Sequence, residues 1–201
     1  LSVATPAGLA YGTPLNRAVT LSNPANPLSL VSITDAVAQQ AGGVFSTAYT
    51  ASNRTFTQTT PASRVRTVTL DPQGRLASVR RDGLTAEGFT YDARGRLSAI
   101  VHGSRTRGFA YDTNGMLTTV TDPLGRTTTY VRDATGQITT QTLEDGQTVA
   151  LTYDPVGGLA SIRVPSGGLY EIAHSAIGGL TEVRAPAVTG GGSNATSFGC
   201  N

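Results

Sequence analysis

The side chains able to do chemistry in this chain are few and regularly placed. Carboxylates recur at Asp71, Asp92, Asp112, Asp133 and Asp154, beside two histidines, His102 and His174, and a single thiol, Cys200. Recurring carboxylates suggest cation binding, yet each position offers one carboxylate where Ca²⁺ takes six to eight oxygens. No His, Cys and carboxylate set has the spacing of a metal centre, and no Gly-x-Ser-x-Gly elbow occurs. His102 precedes a turn glycine and His174 stands at an aromatic position, so both read as structural. Tyr91, Tyr111 and Tyr153 could stack on sugar rings, but alternation along a strand argues for packing against neighbours. Arg94, Arg96, Arg105 and Arg107 form at most a solvated, mildly anion-binding rim. Asn53-Arg54-Thr55 and Asn194-Ala195-Thr196 are glycosylation sequons, read here as coincidence. The residues therefore predict no catalytic site, no metal and no cofactor.

The elements that carry these residues follow from their spacing. Lining up the Asp-x-x-Gly segments gives Asp71 to Gly74, Asp92 to Gly95, Asp112 to Gly115, Asp133 to Gly136, Asp154 to Gly157 and Ser175 to Gly178. The steps between first positions are 21, 20, 21, 21 and 21 residues, the signature of a tandem repeat. Two residues after each glycine stands an apolar residue: Leu76, Leu97, Leu117, Ile138, Leu159 and Leu180. Before each turn runs apolar-x-aromatic, as in Phe89 and Tyr91, Phe109 and Tyr111, and Leu151 and Tyr153; Tyr130 and Arg132 form a weaker copy. Such alternation places the pair on one face of a strand. The aspartate fixes the turn by accepting backbone N–H groups, and the glycine supplies positive φ.

A second set of turns closes each unit: Asp82-Gly83, His102-Gly103, Asp122 to Gly125, Asp145-Gly146 and Pro165 to Gly168. Two strands and two turns in about 21 residues leave no room for a helix. The fold class is therefore all-β: tandem antiparallel hairpins forming one long, twisted meander. The three-residue step from Leu76 to Val79 breaks strict alternation and predicts a bulge or a strand end.

Composition narrows the function classes. All fifteen basic residues are arginine, and a net charge of +2, taken as evenly spread, gives no footprint for nucleic acid or an anionic membrane. No apolar run approaches a membrane span. Residues 1–48 read as degenerate Thr/Pro/Ala-rich β repeats, 49–185 as the regular array, and 186–201 as a Gly-rich loop opening an incomplete repeat. In residues 49–55, Asn53 falls on the glycine position, and Leu28 to Ile33 reads as another strand. Phe198-Gly-Cys200-Asn201 reads as the start of a further turn. No capping unit is visible at either end. The expected partners are thus further repeats of a longer parent chain or other copies of the chain.

Tyr91-Asp92-Ala-Arg-Gly95-Arg-Leu97 and Tyr111-Asp112-Thr-Asn-Gly115-Met-Leu117 resemble the YD repeat of the Rhs family. The stretches from Thr121 to Tyr130 and from Thr60 to Arg64 look like that family's second turn. The resemblance covers residues 45–185 well. It implies a long β-sheet that spirals into a hollow shell, non-enzymatic, in a secreted or cell-surface protein. The alternative is an extracellular filament or adhesin subunit joined head to tail, with cell-surface carbohydrate as a candidate partner. Asp71-Pro72, Asp122-Pro123 and Asp154-Pro155 are similar to an Asp-Pro of the family's autoprotease core. They occur as lone turns, so no cleavage is expected from them.

Overall fold

The computed structural model describes residues 2–4, 10–12, 15–38, 43–186 and 194–198, and every regular element among them is a β-strand. The chain divides into two compact units, Leu1–Thr106 and Arg107–Asn201, with the boundary inside one strand. The first unit holds β1 (Ser2–Ala4), β2 (Ala10–Gly12), β3 (Leu15–Leu21), β4 (Leu30–Ala38), β5 (Val44–Thr50), β6 (Thr55–Thr59), β7 (Val65–Leu70), β8 (Leu76–Arg81), β9 (Glu87–Tyr91) and β10 (Leu97–His102). The second holds most of β11 (Arg105–Tyr111), then β12 (Leu117–Thr121), β13 (Thr127–Arg132), β14 (Ile138–Thr142), β15 (Thr148–Tyr153), β16 (Leu159–Arg163), β17 (Leu169–His174), β18 (Leu180–Arg184) and β19 (Ala195–Ser197).

β1 and β2 pair with each other, and from β3 each strand pairs antiparallel with the next within its unit. Pairing carries apolar side chains across the sheet in rows. In the first unit Val19 faces Ile33, Ile33 faces Tyr49, Tyr49 faces Phe56, Phe56 faces Val68 and Val68 faces Val79. The Tyr49 and Phe56 rings lie 4.6 Å apart, a favourable tilted contact. In the second, Phe109 faces Val120, Leu151 faces Ile162 and Ile172 faces Val183; Gln141 lies between Tyr130 and Val149 in the same kind of row.

No described side chain is fully buried. Within each unit the described strands touch only their neighbours in sequence. Each sheet is therefore a single layer, and its cohesion lies in the hydrogen-bond ladder and cross-strand pairs rather than in an enclosed core.

The three-residue apolar step has a structural cause. In β7–β8, β9–β10, β11–β12, β13–β14, β15–β16 and β17–β18 the register shifts by one residue beside the Asp-x-x-Gly turn (Ser175-x-x-Gly178 in the last). Leu70 faces Leu76 while Thr69 faces Ser78, so Ala77 is extra. This bulge returns Leu76 and Val79 to one face.

The N-terminal third departs from expectation at two points, the β5–β6 turn and the start of β4. The positive φ of the β5–β6 hairpin falls on Arg54 (φ 52°), not on Asn53. Thr50 faces Thr55 with no register shift, so this turn is one residue shorter than its successors and its last position is Arg54. Ser63 (φ 57°) is likewise the fourth residue of the next turn, where Arg64 follows it before β7. The strand expected from Leu28 begins at Leu30; Leu28 and Ser29 belong to a loop held by the Asn23 and Asn26 side chains.

Candidate functional site

The recurring residues of the sequence come together at one edge of each sheet. The residue before each turn pairs across the hairpin with the apolar residue after it: Tyr91 with Leu97, Tyr111 with Leu117, Arg132 with Ile138, Tyr153 with Leu159 and His174 with Leu180. Phe89, Phe109 and Tyr130 stand two residues further back on the same face. All are half-buried except Leu180, which is exposed.

Between the paired residues each aspartate closes its turn through the backbone and the side chain together. Asp71 N–H donates to the Arg75 carbonyl at 2.8 Å, and Gly74 N–H donates to the Asp71 carbonyl at 3.0 Å. The Asp71 Oδ1 accepts the N–H groups of Gln73 and Arg75, both at 2.9 Å. Asp92 does the same for Arg94 and Arg96, Asp133 for Thr135 and Gln137, and Asp154 for Val156 and Gly158. Asp112 accepts from Met116 N–H, and the Ser175 hydroxyl stands in by accepting from Gly179 N–H. The fourth residue of these turns is in the left-handed region in every copy, with φ from 80° at Gly74 to 90° at Gly157. A side chain with a Cβ pays a steric cost there that glycine does not.

The electrostatics follow from these donors. Desolvation works against the Asp71 carboxylate, but the Arg75 N–H and guanidinium and the Gln73 N–H outweigh it, so its pKa is lowered. At Asp92 the Arg96 N–H is the leading cause of the lowering, and at Asp133 it is the Thr135 hydroxyl. Carboxylates saturated with donors and held below their usual range are poor proton acceptors; their arrangement suits locking turns.

The same residues tie each repeat to the one before. The Tyr91 hydroxyl donates to the Leu76 carbonyl at 2.9 Å, and the Tyr153 hydroxyl to the Ile138 carbonyl at 2.9 Å. Both carbonyls flank a bulge, where ladder pairing is disrupted and an acceptor is left over. Arg132 reaches the equivalent Leu117 carbonyl at 3.4 Å. Arg75, bonded to Asp71 at 2.7 Å, also lies 4.3 Å from the Tyr91 ring centroid, a cation–π contact. One repeat has Gly158 where Arg75 stands in the first, and there His174 Nδ1 comes within 3.5 Å of Asp154 Oδ2.

The other candidates are dispersed. His102 ends β10 opposite Glu87. Asn53 is exposed in its turn, whereas the Asn194 amide donates to the carbonyls of Ala185 and Pro186. Cys200 and Asn201 lie outside the described residues. Sequence reasoning assigned the tyrosines to packing and missed their hydroxyls, which bond backbone 15 residues earlier. The available signal was the coincidence of a tyrosine before the turn, as at Tyr91 and Tyr153, with a bulge one repeat before.

The chain matches the family described as Teneurin YD-shell over residues 40–196. No curated protein matches it. It is similar to several solved structures. One is the crystal structure of TcdB2-TccC3-Cdc42, with a TM-score of 0.60 and 15% identity over 94% of this chain and 12% of that one. A second is a Photorhabdus luminescens Tc holotoxin pore carrying a TccC3 mutation, with a TM-score of 0.58 and 14% identity over 94% and 12%. A third is TcdB2-TccC3 without its hypervariable C-terminal region, with a TM-score of 0.57 and 16% identity over 93% and 12%. At such identities the likeness shows the fold, and the chain spans about 12% of the length of those structures. The in-register repeats, their shared bulged turns and the match over residues 40–196 together establish that this chain belongs to the YD-shell family.

Proposed function

We propose that this chain is a non-enzymatic stretch of shell wall in a secreted or cell-surface protein, and that its sheet separates an enclosed volume from the surrounding solvent. The observation that carries this reading is the single-layer construction of each unit. The described strands contact only sequential neighbours, no described side chain is fully buried, and successive repeats are tied along one edge. A sheet built this way extends by adding repeats and needs nothing packed on its faces to hold its register. The partners that fit are further repeats of a longer parent chain. Family membership and the likeness to parts of large Tc toxin chains support the reading.

Cryo-electron microscopy of the protein in its full natural chain tests it. Hollow particles with a wall one β-sheet thick are expected. Head-to-tail filaments, or a solid particle without a lumen, would overturn it.

A further inference from the structure

The net charge of +2 hides an uneven distribution. The first unit carries ten arginines against five acidic residues, and the second carries five against eight. This corrects the even spread expected from composition. The excess in the first unit is concentrated on β7 and β8.

Arg66 and Arg81 face each other directly across the β7–β8 ladder. Like charges in that position repel. Arg64 stands just before β7, and all three side chains are exposed. Among the described residues no carboxylate lies within ion-pair distance of any of them, although Asp82 lines the same groove. Among the described residues the side-chain partner of these guanidiniums is neutral: Arg66 donates to the Gln58 amide oxygen at 3.1 Å, which orients it.

These groups border an open groove of about 620 Å³. Beside the guanidiniums it is lined by Phe45, Val65 and Leu84, and Leu84 is 59% exposed. The neighbouring strand position behaves differently. Arg80 faces Thr67 and, by alternation, projects from the opposite face. Arg66 and Arg81 thus share the groove face, and Arg80 places an equal charge on the other face of the same strand as an internal control.

We infer that this groove on β7 and β8 is a binding site for an acidic polypeptide segment that carries apolar side chains between its carboxylates. Guanidinium forks match carboxylates in bidentate geometry, and an anion between Arg66 and Arg81 relieves their repulsion. The apolar lining takes the intervening side chains. A bare phosphate makes no use of Phe45, Val65 or Leu84. Nucleic acid draws its affinity from a run of phosphates along a basic track, and three guanidiniums at one point do not form one.

Fluorescence anisotropy of the intact chain with a labelled peptide alternating Glu and Leu tests the site. Saturable binding is expected, with a Lys/Leu peptide of equal length failing to bind. The double substitution Arg66→Gln with Arg81→Gln weakens binding about tenfold or more, as truncation of paired interfacial charges does. Leu84→Ser gives a smaller loss, and Arg80→Gln on the other face leaves affinity unchanged. Melting curves of each variant verify folding. Equal losses from Arg80→Gln and the groove double variant would reduce the effect to general charge and overturn the site. Equally strong competition by orthophosphate, or binding of phosphatidylserine vesicles in place of the peptide, would overturn the polypeptide assignment.

Discussion

In each unit the turns alternate between two edges of the sheet, and the edges are built differently. At the aspartate edge the hairpins from β7–β8 to β17–β18 carry a register shift, and a carboxylate or hydroxyl accepts backbone N–H groups within the turn. At the opposite edge β12–β13, β14–β15 and β16–β17 pair without a shift. Their turns open on Asp122, Leu143 and Val164: Asp122 accepts two backbone N–H groups, Asp145 inside the second turn accepts one from Gln147, and among the described residues the third turn shows no such acceptor. Loop length also varies at that edge: β10 leads to β11 through Gly103 and Ser104 alone, whereas five residues from Asp122 to Arg126 join β12 to β13. That loop is three residues shorter while β10 and β11 are together two residues longer than β12 and β13, which leaves the single 20-residue step in an otherwise 21-residue period. One edge thus fixes the local geometry and ties repeat to repeat, while the other tolerates change in length and composition.

Acid should have the largest effect on these turns, because it removes the acceptors of Asp71, Asp92 and Asp133 together. The folded-state pKa values of Asp71, Asp92 and Asp133 are lowered, so the stability they contribute is fully present above the unfolded-state value. It is lost as pH falls through the lowered folded values. Thermal melting should therefore hold steady from neutral pH to about pH 5 and decline below about pH 4. Asp122 on the opposite edge is lowered too, with desolvation opposing the donors of Arg126 and Leu124, and should titrate alongside them.

Asp154→Ala comes next, leaving the Val156 and Gly158 N–H groups without their acceptor. A loss of about 1–2 kcal/mol in denaturant unfolding is expected, by analogy with the loss of a capping side chain. Tyr153→Phe keeps the ring and deletes only the donor to the Ile138 carbonyl. It should cost about 0.5–1.5 kcal/mol, measured the same way. The smallest effect sharpens the comparison from the other side. Val164→Asp puts a carboxylate where the opposite edge lacks one, four residues before Gly168, and should raise stability by about 0.5 kcal/mol.

Much of this architecture is legible in the sequence because it is periodic. The Asp-to-Gly spacing marked the hairpins, and the step from Leu76 to Val79 announced an interruption in alternation, which the structure resolves as a bulge at Ala77. What the sequence hid has physical reasons. The Tyr91 and Tyr153 hydroxyls bond backbone carbonyls, and a carbonyl left over by a bulge has no side-chain signature. Asn53 tolerates positive φ better than arginine does, yet pairing of Thr50 with Thr55 fixes the turn length and hands that conformation to Arg54. The arginine pair was equally hidden, since residues 66 and 81 meet only through the ladder.

Every hairpin at the aspartate edge from β7–β8 to β17–β18 is bulged and held by a side-chain acceptor, whereas the opposite edge keeps such an acceptor in some turns, as at Asp122 and Asp145, and lacks one in the turn that opens on Val164. Amide hydrogen exchange resolved by residue, expressed as protection factors, tests this contrast within two adjoining hairpins. The N–H groups of Val156 and Gly158, held by Asp154, should be clearly better protected at neutral pH than those of Ser166 and Gly168, whose turn opens on Val164. That difference should vanish in Asp154→Ala. Equal protection of the two sets in the unaltered protein, or a difference that survives the substitution, would contradict the account.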